Sequence, residues 1–142
     1  MDLKLVMTAD EVTRLITVAF KADKPWFEIQ ELQPGWLRAR LLFRSWMLRP
    51  GDVVSGPALF TAADLAMYAL VLSHTGPQLM SVTSNLDLNF LNKGVPGDVR
   101  AEGSLLKLGR RLAVMEVKLR CGDQPDLVAV ATGTYALAAP AR

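Results

Sequence analysis

The stretch Ser55-Gly-Pro-Ala-Leu-Phe-Thr-Ala-Ala-Asp64-Leu-Ala-Met-Tyr-Ala-Leu70 is apolar nearly all the way round, yet one carboxylate stands in its middle. A mid-helix Asp is ordinarily a solvated surface group. Here Ala62, Ala63, Leu65, Ala66 and Met67 surround it, so the other reading is an acid facing a cleft. There it can act as a general base or as a nucleophile. Gly56 stands eight positions earlier, at the mouth of the same helix. Helix starts gather free N–H groups and the positive end of the dipole. A loop glycine before a proline-started helix is the plainer alternative.

Other chemistry-bearing residues are few. The chain has one His (His74) and one Cys (Cys121), which excludes a zinc site built from those types. Cys121 can form no intrachain disulfide, which is compatible with a reducing compartment. His74 follows the helix and reads as structural, a cation favoured at a C-terminal end. Basic residues cluster at Arg38/Arg40/Arg44/Arg49 and at Lys107/Arg110/Arg111. These are either solvated strand faces and turn ends or places where an anionic ligand docks.

The bulk composition narrows the class. The 142 residues suit one domain spanning residues 1–142, with 51% hydrophobic and 21% charged residues. The formal charge of +2 is too balanced to call for nucleic acid. A mean hydropathy of +0.22 is high for a small monomer and points to apolar surface buried between subunits. No run of 18 apolar residues occurs, so no membrane span is expected. The first residues lack a basic region followed by a long apolar run, so no secretory signal is expected either. The expected setting is cytoplasmic.

The elements that must position these residues follow from periodicity. Thr8-Ala9-Asp10-Glu11 fits a capping box, and Val12, Leu15, Ile16, Ala19 and Phe20 form one stripe, predicting a helix over 8–21. Strands are expected at 26–32 and 36–46 around Pro34-Gly35. Pro57 suits the first turn of the long helix, and Gly76-Pro77 stops it after Ser73. Four strands follow, at 79–91, 99–108, 112–122 and 126–138, implying an antiparallel meander. In the first of them Val82, Leu86, Leu88 and Phe90 face one way, and Thr83, Asn85, Asp87 and Asn89 the other. The fold class is α+β: a sheet wrapped round a long apolar helix that needs more than one partner to cover it.

This layout resembles the hotdog fold, in particular the PaaI-type acyl-CoA thioesterases. That family carries His-Gly-Gly, four variable residues, then Leu-Ala-Asp. Here Ser55, Gly56 and Pro57 stand at His-Gly-Gly, and Ala62, Ala63 and Asp64 at Leu-Ala-Asp. The later stretches S-V-T-S-N-L-D-L-N-F-L-N-K, P-G-D-V-R-A-E-G-S-L-L-K-L-G-R-R-L-A-V-M-E-V and A-T-G-T-Y-A-L resemble the family's closing strands. The likeness covers residues 25–138.

The resemblance implies a curved antiparallel sheet around a central helix, homodimers pairing again to homotetramers, and active sites at the dimer interface. It implies hydrolysis of an acyl-CoA thioester, with coenzyme A as part of the substrate and no further cofactor or metal. Asp64 would be nucleophile or general base, and the Gly56 N–H would polarise the carbonyl. Pro57 has no N–H, so Ala58 is the next donor. Eight residues span about 12 Å of helix, so Gly56 and Asp64 of one chain cannot both reach one carbonyl. Tyr68, one turn after Asp64, either orients the carboxylate or packs with its hydroxyl satisfied elsewhere. Arg49 stands where the family often has Asn; it pairs with Asp64 across the interface, binds a substrate anion, or is a surface Arg. Arg110 and Arg111 lie at a turn where similar proteins contact the phosphates of coenzyme A. Ser55 in place of His marks a modified site, and a non-catalytic acyl-CoA-binding hotdog protein is the alternative. A medium-chain or aromatic acyl group is the expected cargo, because Leu59, Phe60, Ala63, Met67 and Met80 make the surroundings apolar.

Overall fold

A computed structural model describes residues 2–138. Helix α1 (Ala9–Ala19) is followed by strands β1 (Phe27–Gln33) and β2 (Trp36–Leu41). A short 3-10 helix (Ser45–Met47) leads into the small hairpin β3 (Leu48–Arg49) and β4 (Val53–Val54). The long helix α2 (Gly56–Thr75) comes next, then β5 (Val82–Phe90), β6 (Val99–Leu108), β7 (Leu112–Cys121) and β8 (Ala129–Ala136). The six long strands form one antiparallel sheet in the order β1-β2-β6-β7-β8-β5.

That order corrects the expected meander. β5 does not pair with β6, its successor; it crosses to the far edge and pairs with β8. β2 takes the vacated place beside β6. The expected strand 36–46 stops at Leu41. There the Phe43 N–H is taken by Asp98 Oδ1 at 2.8 Å, and the chain turns into the 3-10 helix.

The sheet curls around α2, and the core lies between them. Leu37, Ala39 and Leu41 of β2, Ala113, Met115, Val117 and Leu119 of β7, and Leu70 and Leu72 of α2 are all fully buried. Arg38 and Arg40 alternate outward, and Arg40 reaches Glu28 at 2.9 Å. Gly133 of β8 lets the helix come close: a Cβ there would stand 2.6 Å from Met67 Sδ and 2.9 Å from Asn85 O. By length and composition α2 meets the requirement for a membrane span, against the expectation from sequence. Here the sheet wraps it, and 72% of that apolar window is buried within the chain.

Local chemistry sets the helix ends. Thr8 Oγ1 accepts the Glu11 N–H at 3.1 Å while Glu11 Oε1 accepts the Thr8 N–H at 3.0 Å. Ser55 caps α2, Pro57 occupies its first turn, and Gly76 ends it with a φ of 91°.

His74 corrects the picture of a cationic cap. Its Nε2 accepts the Gly35 N–H at 2.9 Å, so Nδ1 carries the proton and donates to Leu70 O at 2.8 Å. The ring is therefore a neutral clasp joining the β1–β2 turn to the end of α2. Replacing His74 with Ala leaves the Gly35 N–H without its partner. The expected loss of about 1–3 kcal/mol in unfolding free energy is read as a lower denaturant midpoint at unchanged slope.

Candidate active site

Hydrogen bonds fix the entrance of α2. The Ser55 N–H donates to Met47 O at 2.7 Å, and the Val54 N–H donates to Gly94 O at 2.9 Å. Ser55 Oγ accepts the Ala58 N–H at 3.3 Å, and Ser55 O accepts the Leu59 N–H at 3.1 Å. Ala58 is thereby spoken for, and Pro57 has no N–H. Among the described residues, nothing in the chain accepts the Gly56 N–H. The helix thus presents one free donor at its positive end.

Gly56 lies between two depressions. One is a cleft of about 750 Å³ that includes Arg49, Gly51, Asn92 and Lys93 among its lining residues. The other is an apolar slot formed by Gly56, Pro57, Phe60, Thr61, Leu88 and Phe90. A Cβ on Gly56 would stand 3.3 Å from the Phe90 ring, so the missing side chain keeps the passage between them open.

α2 is buried everywhere in its first half except at Gly56, Pro57, Phe60, Thr61 and Asp64. These positions fall at i, i+1, i+4, i+5 and i+8, a single stripe along the helix. Asp64 stands at its far end, half-buried. Asp64 Oδ1 accepts the Tyr135 hydroxyl at 2.6 Å and the Thr83 hydroxyl at 2.7 Å. The Tyr135 hydroxyl also lies 3.0 Å from Asp64 O. Burial, reinforced by the neighbouring Asp64 carboxylate, raises the Tyr135 phenol far above its ordinary range, so it stays protonated as a donor.

Neither Thr83 nor Tyr135 emerges from the sequence as a site residue. Strict alternation puts Thr83 on the face opposite Leu86 and Leu88. A register shift between Thr83 and Asn85 in the β5–β8 ladder overturns that expectation. Such a bulge inserts one residue and re-aims what precedes it. Thr83 therefore points at α2 on the same side as Leu86 and Leu88. Tyr135 carries a weaker signal, since in A-T-G-T-Y it alternates inward with Ala131 and Gly133.

The Tyr68 hydroxyl donates to Leu79 O at 2.8 Å rather than to Asp64. Its ring stacks on Tyr135 at 6.1 Å, so it packs behind the group that holds the acid. Arg49 is exposed at the cleft beside Gly56. Arg110 and Arg111 are exposed at the β6–β7 turn, where with Lys107 and Leu137 they border a surface depression. The ladders pair Leu112 with Ala136 and Ala136 with Val82. The turn therefore lies at the Thr83–Tyr135 end of the sheet. Cys121 is buried, and burial pushes its thiol up to about 11, which rules it out as a nucleophile at neutral pH.

Comparison with known proteins agrees with this fold. The family model described as "Thioesterase superfamily" matches residues 51–128. A crystal structure from Silicibacter sp. TM1040, provisionally called a thioesterase, is 38% identical with a TM-score of 0.86, covering 94% of each chain. A Saccharolobus solfataricus protein with a provisional esterase name is 30% identical over 132 residues, 92% of this chain and 85% of that protein. A hypothetical thioesterase from Streptococcus pneumoniae, solved with coenzyme A, shares the fold at 24% identity and a TM-score of 0.68, covering 80% of this chain and 86% of its own. The sheet curled around one long helix is the hotdog fold, and the chain belongs to the Thioesterase superfamily.

Proposed function

We propose that this enzyme hydrolyses an acyl-CoA thioester at sites shared between two protomers. The observation that carries the reading is the open stripe of α2, with a free Gly56 N–H at one end and a doubly anchored Asp64 at the other. The thioester carbonyl oxygen sits on the Gly56 N–H, which strengthens its hold as negative charge develops there. Asp64 comes from the facing protomer, since about 12 Å of helix separates the two groups in one chain.

Two routes use the same atoms. As general base, Asp64 takes a proton from water while the water oxygen bonds to the thioester carbon. The carbonyl electron pair moves onto oxygen, then returns as the C–S bond breaks, and the thiolate of coenzyme A takes up the proton. As nucleophile, the Asp64 carboxylate bonds to the carbon and expels the thiolate, and water then opens the mixed anhydride.

The apolar slot at Phe60, Leu88 and Phe90 suits a medium-chain or aromatic acyl group. Arg110 and Arg111 are assigned to the phosphates of coenzyme A, for which guanidinium geometry is apt, and Arg49 to the polar cleft beside Gly56. The coenzyme A found with the Streptococcus pneumoniae structure supports a substrate of this class. No cofactor or metal is needed. The edge strand β5 is exposed along most of its length, with Val82 (55%) and Phe90 (61%) open at its two ends and Phe60 (42%) of α2 open as well. Such an edge calls for a cover, and a second copy of the chain supplies it, with a homotetramer as the full assembly. A cytoplasmic setting belongs to the same proposal and rests on the single, buried, unpaired Cys121.

The test is a panel of medium-chain and aromatic acyl-CoA substrates, with Asp64→Asn as control. Hydrolysis by wild type and its loss in the variant are expected. If both are equally inert while coenzyme A still binds, the chain is a non-catalytic acyl-CoA binder. A single turnover in ¹⁸O-labelled water, with enzyme in excess, identifies an anhydride opened at Asp64 by label retained in the protein. General-base attack puts the label in the released acid. Water attack on the Asp64 carbonyl of an anhydride leaves it in the protein.

A further inference from the structure

We infer that Thr83 and Tyr135 are positioning residues that together fill Asp64 Oδ1 and leave Oδ2 as the working oxygen of the site. The inference rests on Asp64 being the reacting acid. Both donors fall on the same atom, at 2.7 and 2.6 Å. A carboxylate oxygen offers about two lone-pair directions, so Oδ1 has none to spare. A carboxylate in an open cleft is otherwise free to rotate and exchange its oxygens. Two donors from different strands remove that freedom, and Oδ2 is the oxygen presented to water or to the thioester carbon.

The donors are themselves held. Tyr135 is buried, and its ring stacks on Tyr68 with centroids 6.1 Å apart. Tyr68 is fixed by Leu79 O at 2.8 Å and by the edge of Phe20 at 6.3 Å, and Phe20 meets Trp26 at 5.9 Å. A row of four rings thus runs from Trp26, just ahead of β1, through Phe20 and Tyr68 to Tyr135 at the carboxylate. Thr83 depends on the β5 bulge, which alone brings its hydroxyl onto this face. The bulge marks a point where the ladder yields regularity to a contact with Asp64.

Steady-state kinetics on octanoyl-CoA and benzoyl-CoA test the arrangement. Tyr135→Phe and Thr83→Val are each expected to lower kcat by about 10–100-fold with KM little changed, the scale set by misplacing a reacting group. Thr83→Ser, which keeps the hydroxyl, is expected to recover most of the loss seen in Thr83→Val. Thr83 is solvent-exposed, so its variants fold, and melting curves verify this for Tyr135→Phe. If Asp64→Asn is inactive while Tyr135→Phe and Thr83→Val keep wild-type kcat, the positioning role is overturned and the thioesterase reading stands. If Asp64→Asn is as active as wild type, the reading of Asp64 fails instead. A readout independent of turnover is the Tyr135 hydroxyl proton, expected as a resolved downfield NMR signal that Asp64→Asn displaces and Tyr135→Phe abolishes. Its absence from the wild-type spectrum overturns the clamp.

Discussion

Asp64→Asn is expected to lower kcat by about 10²–10⁴ while leaving KM and the melting temperature close to wild type. The substitution keeps the shape of the side chain, and its amide oxygen still accepts from Tyr135 and Thr83. What disappears is the charge, and with it the ability to accept a proton or to attack carbon. Stability should be spared because Asp64 is only half-buried and forms no ion pair among the described residues. A fall in kcat with a preserved melt therefore separates chemistry from folding. A loss of less than tenfold would remove Asp64 from the proton-transfer role and leave the Gly56 donor as the main surviving source of catalysis.

The sequence makes the scaffold legible where local rules are strong. The capping box at Thr8–Glu11 is formed, and the expected helix 8–21 is observed as Ala9–Ala19. Pro57 and Gly76 bracket α2 within a residue or two of expectation. Strand β6 has its expected limits, and β7 differs by one residue, because turn residues punctuate them on both sides. The position of β5 is not legible. Periodicity describes each strand by itself and is silent about its neighbour, and here the partner is the last strand rather than the next.

The site divides along the same line. Asp64 and Gly56 stand out because each breaks a pattern, a charge in an apolar helix and a glycine before a helix-starting proline. Thr83 and Tyr135 break none. Thr83 obeys the alternation of its strand by letter, and a bulge then reverses its face. A bulge arises from pairing with another strand, so no window along one strand announces it. Ser55 shows the converse. Its place in the motif marks a modified site, and in the structure its role is local. Its hydroxyl oxygen caps Ala58, which leaves the Gly56 N–H as the free donor.

Two inactive variants mixed together are expected to regain activity, which is the largest effect the shared site predicts. Gly56→Pro removes the donor, and its ring carbons also crowd the Phe90 side of the same half-site. Proline is at home at a first helical position, where its missing N–H breaks no bond inside the chain. The expected loss is about 10²–10³ in kcat, alongside the loss in Asp64→Asn. In a two-fold dimer, each site takes Gly56 from one chain and Asp64 from the other. A mixed dimer then gathers both lesions into one site and leaves the second intact. Co-unfolding and refolding equal amounts of the two variants gives mixed dimers in about half the population, each with one working site. The mixture should therefore recover about a quarter of wild-type activity, while each variant refolded alone stays inactive. Recovery has no explanation if both groups serve a site within one chain, because every chain in the mixture carries a lesion. If the refolded mixture contains mixed dimers, shown by differently tagged subunits, and stays inactive, the site lies within a single protomer and the 12 Å argument from helix geometry fails.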